Sequence, residues 1–322
     1  MGAFIIRRIL QTILVLFVLS FVCYYVMSLM PGDPVEIMIS SNPRMTSEDV
    51  ARLRRLYGLD QPAYVRYGNW LKAFVQGDFG YSRTYQKPVE EIIGPRLLNT
   101  MILTGLSLFP SFVIGIYFGV KAGLYPSSKF DYIANLFAFG GISLPSFWLA
   151  IMLIIGFAVK IKIFPAGGTE TIGVEMSGIE AIFDRLKYLV LPTLTLTFIQ
   201  LGTYARYARS SVIEAMRNDY IRTAKAKGMS RTRVVWIHGF RNALLPLITV
   251  IGVSISYLFS GSIITETVFA YQGVGKLVYD SIVANDFNMA MVSFMISIAM
   301  VLLMSLVADL LYAVVDPRIT YS

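Results

Sequence analysis

The 322-residue sequence has very little cysteine and histidine, with one residue of each. Cys23 alone cannot form a disulfide within the chain, and a thiolate metal cluster needs several cysteines, so we expect it to pack as a small apolar side chain. His238 alone provides no cluster of metal ligands, and no acid lies at triad-like distance from it in the sequence. A G-x-S-x-G nucleophile motif is also absent. The sequence therefore predicts neither a metal site nor a catalytic centre.

Charged residues are scarce as well. They make up 15% of the chain, against about 25% in soluble domains. Hydrophobic residues make up 56%, against about 45–50% in soluble domains. A chain with so little charge and so many apolar side chains is typical of an integral membrane protein.

Six apolar segments are long enough to cross a bilayer, which needs about 20 helical residues. They cover residues 9–30, 97–120, 132–159, 188–208, 243–265 and 289–314. The first is too long for a secretory signal and has no small-x-small cleavage site, so residues 1–30 are expected to stay as an anchor. The predicted fold class is an all-α membrane protein with six transmembrane helices.

The distribution of basic residues predicts the orientation of the spans. With the N-terminus inside, the inner segments hold fourteen Lys and Arg residues against four acids. The outer segments hold fourteen basic residues against fifteen acids. Both termini are therefore expected in the cytoplasm, and the net charge of +8 reflects topology.

A helix-glycine-helix pattern around Gly228 has the spacing of a DNA-binding helix-turn-helix. It lies in the inner loop between predicted spans four and five, where both ends are held by membrane helices. Specific readout of DNA needs a helix that docks freely in the major groove. We therefore expect no nucleic acid partner.

The large predicted outer loop, residues 31–96, contains two helix patterns. Ser47 is expected to cap the first, which Gly58 ends, and Pro62 is expected to open the second, which Gly77 ends. The loop then precedes a core region of five predicted spans, residues 97–322. Two roles remain open for it: a cap packed over the ends of the spans, and a docking surface for an outer partner.

Glycines recur every four residues at Gly115, Gly119 and Gly123 in the second span, and small residues do so at 252, 256 and 260 in the fifth. Such stripes let helices approach closely in a membrane, and packing within the chain is favoured over packing against another subunit. The prolines at 110, 145 and 192 lie inside predicted spans and are expected to kink them.

Two acids lie at or near membrane depth, which marks them as candidates for a pathway or structural role. Asp309 lies inside the sixth span, and the favoured interpretation is an ion pair with Arg7, Arg8 or Arg206. Glu266 lies at the outer edge of the fifth span.

A short outer fragment, Gly273-Val274-Gly275-Lys276, invites comparison with a phosphate loop. It fails because Ala270 replaces the first glycine and Leu277 replaces the Ser or Thr. We expect no nucleotide site in the chain.

Seven short stretches, in this order, resemble the first (B-type) permease subunit of the oligopeptide/dipeptide family of ABC importers, and the likeness covers the whole chain. The stretches are Phe4-Ile5-Ile6-Arg7-Arg8, Pro31-Gly32-Asp33-Pro34, Tyr57-Gly58-Leu59-Asp60-Gln61-Pro62, Gly77-Asp78-Phe79-Gly80, Asp219-Tyr220-Ile221-Arg222-Thr223-Ala224-Lys225-Ala226-Lys227-Gly228, Arg241-Asn242-Ala243-Leu244-Leu245-Pro246 and Val315-Asp316-Pro317-Arg318.

The resemblance implies a type I ABC importer permease fold in a bacterial or archaeal cytoplasmic (inner) membrane. It implies a heterodimer with a second homologous permease subunit, two cytoplasmic ABC ATPase subunits and an extracytoplasmic solute-binding protein. Those ATPases would bind ATP and Mg²⁺, so no cofactor is expected in this chain. Oligopeptides or dipeptides are the implied substrates. Nickel chelates, oligosaccharides and a sensing or scaffold role with little transport remain alternatives.

The resemblance also makes residues 209–242 the segment that couples transport to the ATPases, with the general pattern E-A-A-x-x-x-G. Arg222, Thr223 and Ala224 stand at the first three positions and Gly228 at the last. The Leu-Pro that usually follows the glycine by twelve residues is displaced to 245–246. The implied site residues are Asp219, Tyr220, Arg222, Thr223, Ala224, Lys225, Ala226, Lys227, Gly228 and Ser230.

Local physical chemistry predicts how this coupling segment folds. Asp219 is expected to cap a helix that begins at Tyr220, Gly228 to end it in the left-handed conformation, and Ser230 to cap the next short helix. The basic side chains of the segment would meet acidic groups of an ATPase or anionic lipid headgroups. The alternative is a basic loop that only anchors to lipid.

Overall fold

The computed structural model describes residues 2–29, 46–56, 58–174, 176–240, 242–243, 247, 250, 254 and 262–315. Within these ranges the chain is mainly helical, with one short hairpin. The elements are α1 (Gly2–Ser28), α2 (Ser47–Leu56), α3 (Ala63–Val75), β1 (Tyr81–Ser82), β2 (Lys87–Pro88), α4 (Val89–Leu124), α5 (Lys129–Ser143), α6 (Ser146–Leu153) with a π-helix (Ile154–Lys160), α7 (Gly178–Arg217), α8 (Asp219–Ala226), α9 (Arg231–Arg233) with a π-helix (Val234–Phe240), α10 (Ile263–Val268), α11 (Val274–Val283) and α12 (Phe287–Val315).

Several helices have the length and apolar composition of membrane spans. Among the described residues these are Ile5–Ser28, Val89–Leu124 and Phe287–Asp309, and a bent pair formed by α5 and the helix after it can serve as a fourth. The predicted fourth span lies within the 40-residue helix α7. The predicted fifth, 243–265, lies mostly outside the described residues. The chain is thus a multi-pass helical membrane protein, and the number six stays a prediction.

The predicted third span is not one continuous helix. The chain breaks between Ser143 and Ser146, and the two parts meet at 105°. Leu144 is extended, with φ −80° and ψ 128°, because the ring of Pro145 disfavours helical backbone in the residue before it and proline has no N–H to donate. By contrast, Pro110 and Pro192 lie inside unbroken helices.

The glycine stripe of α4 packs against α7. A Cβ atom added at Gly115 would lie 2.8 Å from the Tyr204 Cβ, and one added at Gly123 would lie 2.9 Å from the Val212 Cβ. At Gly119 the added atom would lie 2.6 Å from the Ala208 Cβ. Packing of this stripe within the chain is therefore confirmed, and α4 and α7 form the centre of the fold. The second predicted stripe lies outside the described residues.

The predicted outer loops meet at one end of the molecule. The Ser82 hydroxyl donates to Asp286 at 2.6 Å, and the Gly168 N–H donates to the Phe269 carbonyl at 2.8 Å. At the opposite end, the Arg231 guanidinium lies 5.4 Å from the Tyr125 ring centroid, which joins two predicted inner loops. The loops are grouped as the predicted topology requires, while the side that faces the cytoplasm is inferred from the charge count alone.

The helices of the first predicted outer loop form much as expected. Gly58 and Gly77 have positive φ values of 64° and 84° after α2 and α3, and Pro62 stands at the N-cap of α3. The predicted cap of α2 was one residue late, because the Thr46 hydroxyl, rather than that of Ser47, accepts the Asp49 N–H at 3.2 Å.

One helix of this loop packs over the first span. The buried Tyr67 of α3 makes a 2.7 Å hydrogen bond with the hydroxyl of Ser20 in α1. The ring of Tyr67 also lies edge-on to that of Tyr24, with centroids 5.6 Å apart. The outer loop thus does act as a cap on the end of a predicted span.

Candidate coupling site

The coupling segment, residues 209–242, includes the last turns of α7 and continues directly into the short helix α8. Asn218 is extended, with φ −71° and ψ 154°, and stands at the N-cap of α8. The predicted capping residue, Asp219, was therefore wrong by one position. Its exposed carboxylate lies in the first helical turn instead, where negative charge suits the helix dipole.

A small apolar cluster seats α8 on the end of α7. Ile221 and Ala224 lie three residues apart on one helical face and are 1% and 4% exposed. They pack with Val234, Met216 and Met229. Met216 belongs to the last turn of α7, so this cluster joins α8 directly to the end of that long helix.

Gly228 ends α8 in the predicted left-handed conformation, with φ 72°. The Met229 N–H donates to the Ala224 carbonyl at 3.3 Å and the Gly228 N–H donates to the Lys225 carbonyl at 3.0 Å. This pair of bonds is the Schellman motif, which satisfies carbonyls at the end of a helix. An added Cβ at Gly228 would meet no atom within 4 Å, so backbone conformation, not space, favours glycine here.

The second arm of the segment returns to the same end of α7. Ser230 stands at the N-cap position of α9, although its side chain makes no capping hydrogen bond. The arm continues as a π-helix, a rare form that often occurs at functional sites. A Cβ at Gly239 would lie 2.7 Å from the Met216 sulfur, so both arms of the segment contact Met216.

The rest of α8 is uncovered, and we call this surface the coupling face. It comprises Asp219, Tyr220, Arg222, Thr223, Lys225, Ala226 and Lys227, all of them exposed. Its one ion pair joins Arg222 to Asp219 at 3.4 Å, with side chains 81% and 92% exposed. Of the ten site residues implied for this segment, only Ala224 is buried, and Gly228 and Ser230 form the turn.

An ion pair between half-buried Arg209 and buried Asp131 lies near the base of this site, and the sequence interpretation missed it. The Arg209 guanidinium of α7 donates to both oxygens of Asp131, at 2.6 and 2.8 Å. Asp131, 3% exposed, also accepts the Ser127 N–H at 2.9 Å. Such two-point pairs hold geometry tightly. The sequence does contain one signal for this pair. The predicted inner segments hold only four acids, which makes each of them a candidate partner for one of the basic residues there.

The two remaining candidate charges lie elsewhere and have partners within the chain. Arg8 Nε donates to Asp309 at 2.6 Å, which confirms the favoured ion pair and joins α1 to α12. Glu266 is completely buried and accepts hydrogen bonds from Thr100 and Ser262. The structure brings neither acid to the coupling segment.

Two family descriptions match almost the whole chain. Residues 111–321 match the family described as binding-protein-dependent transport system inner membrane component. Residues 1–104 match the N-terminal region of such membrane components.

Curated relatives match over their full length. The chain is 40% identical over 322 residues to oligopeptide transport system permease protein AppB of Bacillus subtilis, with 100% of both chains covered. It is 34% identical to dipeptide transport system permease protein DppB of Alkalihalophilus pseudofirmus, again with 100% of both covered. It is 33% identical to glutathione transport system permease protein GsiC of Escherichia coli, with 99% of both covered.

Solved structures share the fold. An inward-facing structure of the MetNI methionine ABC transporter aligns with a TM-score of 0.55 and 18% identity, covering 70% of this chain and 97% of that one. An amino acid ABC transporter aligns with a TM-score of 0.50 and 14% identity, covering 70% and 92%. At these identities the likeness concerns the fold alone.

Proposed function

The chain belongs to the family of binding-protein-dependent transport system inner membrane components, and from that premise we propose that it forms half of the pathway of an ATP-driven peptide importer. A member of this family is a multi-pass protein of the cytoplasmic membrane that works with ATPase and substrate-binding subunits. The relatives named for oligopeptide, dipeptide and glutathione transport are all similar over 99–100% of this chain. That breadth supports peptides as the substrate class.

The second half of the pathway would come from a homologous permease subunit in a heterodimer. Two ATPases would bind ATP and Mg²⁺, a solute-binding protein would deliver the peptide, and this chain would supply no catalytic group. The observation that carries the proposal is the coupling segment, which is firmly seated on α7 through Ile221 and Ala224 yet leaves the coupling face uncovered.

A mechanical route through the chain follows from the contacts of that segment. If a groove of an ATPase holds α8, closure of the ATPase pair displaces α8 and, through Met216, the end of α7. The Arg209–Asp131 pair carries the displacement to α5. The close contact at Gly119 carries it to α4. Four elements would then move together and change access to the pathway.

Replacing Gly228 with valine tests this route. A side chain at positive φ costs about 1–2 kcal/mol, which reduces the population of the correctly bent segment roughly 5- to 30-fold. In vesicles bearing the complete complex, we expect uptake of labelled oligopeptide per ATP hydrolysed to fall by a comparable factor, while the complex still assembles.

Gly178 provides the matched control. It has φ 60° and open space around it, but it begins α7 far from the coupling segment in sequence. Gly178→Val should leave uptake per ATP unchanged. Normal uptake in the Gly228→Val complex would contradict the proposed route. Uptake of a nickel chelate or an oligosaccharide, with no uptake of peptide, would contradict the substrate class.

A further inference from the structure

The fragment Gly273-Val274-Gly275-Lys276 forms the N-terminus of α11, and the anion at this helix end is the protein's own carboxylate. Glu266 Oε2 accepts the Lys276 N–H at 2.9 Å. The hydroxyl of Thr100 accepts the Val274 N–H at 2.8 Å. Helix N-termini leave N–H groups without partners and attract negative charge. Here Thr100 of α4 and Glu266 of α10 accept these N–H groups, and the Glu266 carboxylate supplies the negative charge.

The described contacts of the Glu266 carboxylate are all with hydrogen-bond donors. The Thr100 hydroxyl accepts the Val274 N–H and, through its own O–H, can donate to Glu266 Oε1, 2.9 Å away. The Ser262 hydroxyl donates to the same oxygen at 2.7 Å.

Burial and hydrogen bonding act on this group in opposite directions. Glu266 is 0% exposed, and this desolvation raises the pKa of the carboxyl above its ordinary value, while the donated hydrogen bonds act against that rise. The helix dipole of α11 also favours the negative charge. An N–H donor on one oxygen, two hydroxyls on the other and the adjacent helix N-terminus are the features that favour the anion.

Space, not backbone conformation, explains the two glycines. A Cβ at Gly273, where φ is −102°, would lie 2.5 Å from the Thr100 hydroxyl oxygen. A Cβ at Gly275 would lie 2.9 Å from Glu266 Oε2 and 2.8 Å from the Ile263 Cα. Both glycines let the helix end approach the carboxylate.

The same hydrogen bonds join three elements. Thr100 belongs to α4, Glu266 to α10 and Lys276 to α11. A second pair of bonds reinforces them, because the Tyr271 hydroxyl donates to the Asn99 carbonyl at 3.1 Å and the Asn99 amide donates to the Gln272 carbonyl at 2.8 Å. The segment that follows the predicted fifth span is therefore fixed to α4.

We infer that Glu266 is a positioning residue for transport: an ionised carboxylate that fixes the outer end of the predicted fifth span to α4. The coupling segment precedes that span in the chain, so displacement there turns the span about a fixed end. This role rests on the proposed function, because a fixed end matters for transport only if the other end is moved.

Glu266→Gln tests the inference in the complete complex. The glutamine amide has the same shape and no charge, and its N–H₂ group must face either the Lys276 N–H or the two hydroxyls that can donate to a carboxylate. We expect the unfolding midpoint of the complex to fall by about 4 °C or more, and uptake of labelled oligopeptide per ATP to fall at least about fivefold. Glu180→Gln, a change at an exposed acid of α7, should alter neither quantity.

Each other outcome has a defined meaning. An unchanged midpoint in Glu266→Gln overturns the ionised carboxylate, whatever the uptake. A lowered midpoint with unchanged uptake per ATP overturns the positioning role. Absence of peptide uptake by the wild-type complex contradicts the proposed function instead. The unfolding midpoint of Glu266→Gln then still tests whether the carboxylate is ionised.

Thr100 variants keep the inference testable if Glu266→Gln does not assemble. Thr100→Ser retains the hydroxyl that links Val274 to Glu266, and Thr100→Val removes it while preserving the shape. We expect uptake per ATP to be near normal in the serine variant and reduced several-fold in the valine variant. Equal uptake per ATP in the two variants overturns the inference.

Discussion

The Glu266 site and the coupling segment lie at opposite ends of the predicted fifth span, and both combine a short helix with glycine. At the Glu266 site, N–H groups of α11 bond to side chains of other elements of this chain, and Glu266 is 0% exposed. At the coupling segment, α8 buries Ile221 and Ala224 and leaves its other face uncovered. One site is completed within the chain, and the other leaves a surface open to another subunit.

Glycine serves a different purpose at each site. Gly273 and Gly275 have neighbours so close that a Cβ would collide with them. Gly228 has open space around it and a φ of 72° that other residues rarely adopt. The same residue type therefore marks close packing at one end and a change of chain direction at the other. The two sites are therefore distinguished by substitutions that add a Cβ atom where there is no room for it and by substitutions that place a side chain at a positive φ.

Gly273→Ala is expected to have the largest effect on stability. The new Cβ would meet the Thr100 hydroxyl and the Glu266 carboxylate, which adds overpacking to the loss of hydrogen bonds around a buried charge. We expect a destabilisation of at least about 3 kcal/mol, measured as a lower unfolding midpoint or as loss of the assembled complex.

Gly105→Ala is the control for this change. Gly105 lies in the interior of α4, with no atom within 4 Å of an added Cβ. Alanine there should be neutral or stabilise the helix by about 0.5–1 kcal/mol. If Gly273→Ala were tolerated as well as Gly105→Ala, the description of the Glu266 site as closely packed would be wrong.

Much of the fold was predictable because its signals are local in sequence. Long apolar runs predicted the spans that the described residues show, and the four-residue spacing of Gly115, Gly119 and Gly123 predicted a packing face. A kink was expected equally at three prolines. The helix instead breaks completely at Pro145, and it is continuous through Pro110 and Pro192. Sequence shows that a proline lacks a donor, but neighbouring helices decide whether the helix bends or breaks.

The sites were predictable only in part, for the same reason. The positive φ of Gly228 and the turn after it follow from local pattern. By contrast, Glu266 lies 166 residues from Thr100 along the chain, and Arg209 lies 78 residues from Asp131. No local spacing encodes such contacts. The fragment at 273–276 was expected to hold no phosphate site, and its contact with the Glu266 carboxyl could be found only from the fold.

Ile221→Ala tests the seat of the coupling segment and should have an intermediate effect. Ile221 is 1% exposed and packs with Val234 and Met216, and truncating such a side chain costs about 2–5 kcal/mol. The cluster borders the surface and can partly collapse, so we expect about 2 kcal/mol. The unfolding midpoint should fall, and uptake per ATP should fall with it.

Ile237→Ala is the matched control, because Ile237 lies on the second arm of the same segment and is 49% exposed. Its truncation should change the midpoint little. Equal losses at Ile221 and Ile237 would mean that the seat of α8 is not the cluster described above, and the proposed route through Met216 would lose its first contact.

Arg222→Ala should have the smallest effect on stability and sharpens the contrast most. The Arg222–Asp219 pair is 3.4 Å long and highly exposed, and such pairs contribute about 0–1 kcal/mol. The unfolding midpoint of the isolated subunit should therefore stay within error of the wild type.

If the coupling face docks on an ATPase, the same substitution should change the association rate of the ATPase and the dependence of that rate on salt, because charges at the edge of an interface act mainly on the association rate. A binding titration at low and high salt measures both quantities. A clear fall in the midpoint would show that Arg222 has a stabilising partner within the chain. An unchanged salt dependence of ATPase binding would show that Arg222 is not part of the docking surface. The midpoint therefore tests whether this face is uncovered, and the titration tests whether an ATPase binds it.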